Sequence, residues 1–101
     1  MSVEKTELNL PSRLESVETA AMEAENCAKR CGFGDDALHA IDMAVRESVA
    51  NAVKHGNKLD ETKQVEITFA ESSQGLEITV RDFGRGFGWR RFQTRPTRKI
   101  F

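Results

Sequence analysis

The chain has 101 residues, 39% of them hydrophobic and 31% charged, which suits one domain with a single modest core of marginal stability and leaves little room for an elaborate active site on two layers. The formal net charge of -1 hides an asymmetry: all 16 acidic residues lie at or before Asp82 together with nine basic ones, and the last 17 residues carry Arg85, Arg90, Arg91, Arg95, Arg98 and Lys99 with no acid among them. No apolar run approaches the roughly 20 residues that span a bilayer and no charged-then-apolar leader opens the chain, so no membrane role is expected and the cytoplasm is the default location.

Residues 3–10 alternate loosely and reach Pro11, the pattern of an edge strand that ends at a turn. Ser12 with Glu15 three positions on reads as a capping box opening a helix, whose apolar positions Leu14, Val17, Ala21, Ala24, Ala28 and Cys31 recur at helical spacing in alanine-rich sequence. Gly32 ends that helix, and Asp35 or Asp36 opens the next. Cys27 and Cys31 lie four apart with no histidine nearby in sequence, which favours a reduced pair packed in a core over a zinc or redox site.

The second helix is expected from about Asp36 to His55, with Gly56 and Asn57 as its C-cap. Leu38, Ile41, Val45, Val49 and Ala52 form its apolar stripe, and Glu47, Asn51, His55 and Lys58 form a polar one with Lys54 at its edge. Glu47 and Asn51, one turn apart, are a pair that chemistry can use and that solvated helix faces also carry. Lys54, His55 and Lys58 suit the negative end of the helix dipole. After a polar loop, residues 64–70 and 76–80 alternate strictly on either side of a glycine-containing turn and predict an antiparallel hairpin with one apolar face. The expected fold class is therefore α+β: a two-layer sandwich in which two helices cover one face of a mainly antiparallel sheet.

Directly after the second hairpin strand, Asp82, Gly84 and Gly86 are spaced D-x-G-x-G. An acid at a strand end followed by glycines admits a planar or phosphorylated ligand close to the backbone, and the carboxylate can accept a hydrogen bond from an exocyclic amine. The same spacing also fits a turn whose Asp caps a backbone N–H. The P-loop and the dinucleotide fingerprint are both absent.

The Glu47 to His55 segment and the Asp82 to Phe87 segment, in this order and separated by one hairpin, resemble the Bergerat-fold (GHKL) ATPases, the superfamily of gyrase and the histidine kinases. Within it the chain looks most like the bacterial anti-sigma-factor serine/threonine protein kinases. The resemblance covers residues from about 5 to 87. It implies ATP and Mg²⁺ as cofactors, with Asn51 as the Mg²⁺ ligand, a role for which a hard carboxamide oxygen is suited. Glu47 matches the general base, Asp82 the acid that reads the adenine amino group, and Gly84 and Gly86 the floor and lid hinge, while Lys54 and His55 lie near the phosphates. The implied function is an anti-sigma regulatory factor that phosphorylates a serine of an anti-anti-sigma partner and holds a sigma factor inactive.

The family's lid and second glycine-rich box are not recognisable after Phe87. The expected organisation is thus an ATPase-like part at residues 1–87 and an atypical basic tail at 88–101. Three origins fit that tail: a truncated or frame-shifted product with impaired nucleotide binding, a replacement lid whose arginines meet phosphate, or an interaction arm. Pro96 and the lack of periodicity argue against a helix or packed strand there. A different class of function, a non-catalytic module that dimerises or binds an acidic partner or nucleic acid through the tail, follows from Trp89, Phe92 and Phe101 among the arginines. The ATPase half of a sensor kinase fits less well, because no phospho-accepting dimerisation helix precedes the domain.

Overall fold

The computed structural model describes residues 4–72 and 75–83 and the backbone of residues 88–94. Glu4–Pro11 forms strand β1, Glu15–Arg30 helix α1, Asp35–Asn51 helix α2, Gln64–Ser72 β2, Gly75–Asp82 β3 and Gly88–Thr94 β4. The strands build one antiparallel sheet in the order β1-β2-β3-β4, so the α+β sandwich expected from the sequence is the observed fold. Leu8 pairs with Ile67 and Leu10 with Val65 across β1 and β2, while Ile67 pairs with Val80 and Phe69 with Ile78 across β2 and β3. Side chains directly opposite share a face, so this register collects one apolar surface from three strands.

Both helices close over that surface. Val65, Ile67, Phe69, Leu76, Ile78 and Val80 are buried against Ala20, Ala24, Cys27 and Ala28 of α1 and Ile41, Val45 and Val49 of α2. The alanines of α1 remove bulk at the contact and let the helix lie close to its neighbours, as their number in the sequence suggests. Leu14, expected on the buried stripe, is instead half exposed, and Cys27 rather than Cys31 is the fully buried thiol. Helix α1 ends in a Schellman motif: Phe33 N–H donates to Ala28 C=O and Gly32 N–H to Lys29 C=O, with Gly32 in the left-handed region at φ 88°.

Three expectations need correction. Ser12 does not cap α1, whose N-cap position falls on Leu14 without a side-chain bond; the Ser12 hydroxyl donates instead to Lys63 C=O at 2.8 Å. Ser12 is fully buried at the seam between β1 and the loop before β2, where a long-range carbonyl partner competes with the local one. The second helix is α-helical only to Asn51 and finishes as a π turn over Ala52–Gly56, closed by Asn57 N–H donating to Ala52 C=O. Finally, residues 88–94 are a strand after all, with Ile78 opposite Phe92 and Val80 opposite Arg90. Their sequence lacks alternation because backbone pairing to the open edge of β3 requires no periodic side-chain pattern.

Candidate functional site

Among the described residues singled out in the sequence, Asn51 is the last residue of α2 and Asp82 the last of β3, and the two segments meet where Asp82 lies against Gly56. Glu47 is exposed on α2, and Asn51, its last residue, is half-buried one turn further on. Beyond Asn51 the chain widens into the π turn, which carries Ala52 and Val53 together into the core and leaves Lys54 and His55 exposed. The i→i+5 bonding of this turn replaces the regular α-helical end that the sequence suggests. Lys58, assigned to the same polar stripe as Glu47 and Asn51, lies beyond the π turn with φ 54°, outside the helical segment.

Asp82 is the last residue of β3 and half-buried. Its carboxylate lies directly on Gly56. A Cβ built on Gly56 would stand 2.3 Å from Asp82 Cγ and 2.3 Å from Oδ2, closer than any side chain tolerates. Gly56 does not have the left-handed backbone of a helix-ending glycine; the positive φ values after the π turn belong to Lys58 and Leu59, at 54° and 60°. The glycine is needed there for space, not for conformation. The π turn and β3 pack on each other at this point, so the Asp82 carboxylate is one residue from His55 and two from Lys54 along the neighbouring chain.

The residue that sequence reasoning misjudged is Asn57. Expected only as part of a C-cap, it is 1% exposed and uses its whole amide. Nδ2 donates to Ser12 Oγ at 2.6 Å and to Gln64 C=O at 3.0 Å, and Oδ1 accepts from Phe83 N–H at 2.8 Å. One side chain thus joins the end of β1, the start of β2 and the residue that follows Asp82. The guanidinium of Arg81 lies 4.6 Å over the Phe83 ring, a second contact at the exit from β3. A sequence signal existed in the His55-Gly56-Asn57 order, since an Asn behind a glycine at a helix end can turn inward as easily as it can cap. Gly84 and Gly86 lie outside the described residues.

A second polar cluster sits at the opposite end of α1. Arg30 holds Glu71 with Nε at 3.2 Å and Nη2 at 2.8 Å, and its Nη2 also reaches Cys27 Sγ at 3.3 Å. Hydrogen bonding to Arg30 keeps the Glu71 carboxyl below the usual carboxylate range, whereas burial and the neighbouring Glu71 push the Cys27 thiol far up. A thiol so placed stays protonated and unreactive; Cys27 is buried and Cys31 half-buried. Among the described residues, no three His, Cys, Asp or Glu side chains gather as a metal site, and no helix is long and apolar enough to cross a membrane.

Comparison with known proteins bears on this arrangement. A serine-protein kinase RsbW of Listeria monocytogenes serovar 1/2a is 31% identical over 84 residues, covering 83% of this chain and 54% of the relative. RsbW of Bacillus subtilis strain 168 is 32% identical over 81 residues, covering 80% of this chain and 51% of the relative, and RsbW of Bacillus licheniformis matches to the same extent. The chain spans about half the length of these curated relatives. The family model of the histidine kinase-like ATPase domain matches residues 10–98, a span that takes in both helices, the π turn and all of β2, β3 and β4. On that match, and on the sheet-and-helix frame described above, the chain belongs to the histidine kinase-like ATPase family.

Proposed function

We propose that the chain is the nucleotide-binding part of an anti-sigma-factor serine kinase, working in the cytoplasm with ATP and Mg²⁺. The observation that supports this reading best is the contact between Asp82 and Gly56, because it brings the acid of the D-x-G-x-G segment to the end of the helix that carries Glu47 and Asn51. In this reading the Asp82 carboxylate accepts a hydrogen bond from the adenine amino group. Asn51 offers a half-buried carboxamide oxygen, a hard donor that would hold a Mg²⁺ beside the phosphates. The nucleotide would supply the phosphoryl group. Glu47, exposed one turn before Asn51, would take the proton of the substrate serine hydroxyl, and Lys54 and His55 would add positive charge beside the phosphates.

The relatives' name, serine-protein kinase, supports serine as acceptor, and the partners proposed are a sigma factor and an anti-anti-sigma factor. The test is calorimetric titration with ATP and Mg²⁺. Binding by the chain, with loss of affinity of at least about tenfold in Asp82→Asn, is the expected result, since a hydrogen bond to a charged group contributes about 1.5–3 kcal/mol. Asn51→Ala should weaken binding only when Mg²⁺ is present. Absence of binding, or equal binding by both variants, overturns the reading.

A further inference from the structure

We infer that Gly56 and Asn57 are positioning residues for Asp82, forming a socket that sets the angle of its carboxylate and with it the discrimination between purine bases. The inference rests on the nucleotide reading and assigns to this pair a role that neither the helix-capping expectation nor the family match contains. Two independent contacts support it. Gly56 presents a surface without a Cβ, against which the carboxylate lies so closely that one methyl group would have to displace it. Asn57 fixes the other side: Oδ1 accepts the Phe83 N–H at 2.8 Å, one peptide beyond Asp82, and so fixes the backbone direction from which the acid projects.

The anchor behind that contact is rigid. Asn57 is held by Ser12 Oγ at 2.6 Å and by Gln64 C=O at 3.0 Å, while its own N–H donates to Ala52 C=O at 2.8 Å and closes the π turn. Ser12 is in turn tied to Lys63 C=O by both its hydroxyl and its backbone N–H. Movement of Asn57 would break bonds to Ser12 behind β1, to Gln64 of β2 and to Ala52 of the π turn together, so the backbone from which the carboxylate projects is tied to the frame of the domain. A single hydrogen bond to an exocyclic amine depends steeply on such direction.

Gly56→Ala tests this without a backbone penalty, because the glycine is not in the left-handed region and the atoms in the way belong to a short side chain that can rotate. The probes are ATP and purine riboside triphosphate, which lacks the 6-amino group, with melting temperature as the control of folding. The unchanged chain should prefer ATP by about tenfold or more, and Gly56→Ala should bring the preference to within about threefold of unity while phosphate-dependent binding of both nucleotides persists. Adding Asp82→Asn to Gly56→Ala should then cause no further loss of preference, a non-additivity that general destabilisation would not produce. Asn57→Ala provides the second variant and should lose the preference in the same way.

Retention of the ATP preference in a folded Gly56→Ala, or in Asn57→Ala, overturns the socket while leaving the nucleotide reading intact. Failure of the unchanged chain to bind either nucleotide overturns both.

Discussion

Asn57 shows how much one buried amide can carry. Its truncation to Ala would remove the bonds it makes to the Phe83 N–H and the Gln64 carbonyl, and would withdraw a fully engaged amide from a buried position. An unsatisfied buried group costs about 1–3 kcal/mol, so the urea midpoint of Asn57→Ala should fall by a corresponding amount. Asn57→Asp should cost at least as much, since the carboxylate can still accept from Phe83 but donates to neither Ser12 nor Gln64, and it places a charge in a site that is 1% exposed. Glu71 makes a different contribution at this scale. Its side chain is 11% exposed and its pKa is depressed by Arg30, so its stabilising effect is present above the unfolded carboxylate range and is lost as pH falls through the lower folded value. Thermal melts between pH 7 and pH 3 should show this acid-side loss, and Glu71→Gln should flatten it.

At the scale of elements, β2 and β3 and the helix faces over them were readable from the sequence because burial imposes periodicity. Phe69 at the centre of β2 is fully buried, and Phe69→Ala should destabilise by about 3–5 kcal/mol in chemical denaturation, a large fraction of what a domain of this size holds. Helix α1 makes a chemical prediction. Cys27 is buried and strongly protonated, Cys31 half-buried and less shielded, so iodoacetamide should modify Cys31 first and reach Cys27 only in denaturant. The features that sequence concealed are those without a period. The π turn cannot be told from an α-helical end by composition, as both place Lys54 and His55 outside. Strand β4 follows from an available edge on β3, and Ser12 was claimed by a carbonyl 51 residues away rather than by its own helix. Gly56 looked like a helix stop because glycine is common there, while the reason for it stands on a strand 26 residues later.

For the molecule as a whole, the sequence offers the candidate site as residue types in a given order, and the family match spans both segments that carry them. What the sequence could not supply was the mutual placement of the two segments, which depends on the sheet register and on the buried amide between them. Sheet and helices also differ in how far apart in sequence their contacts are: α1 packs on the adjacent α2, whereas Asn57 needs β1, the β2 start and the β3 end in place at once. Contacts that span long stretches of chain form late in folding. The Phe83 amide proton, locked onto Asn57, is therefore a built-in clock for the protein. Its hydrogen exchange should stay slow only while the whole sheet is assembled and should quicken throughout whenever any one strand is released.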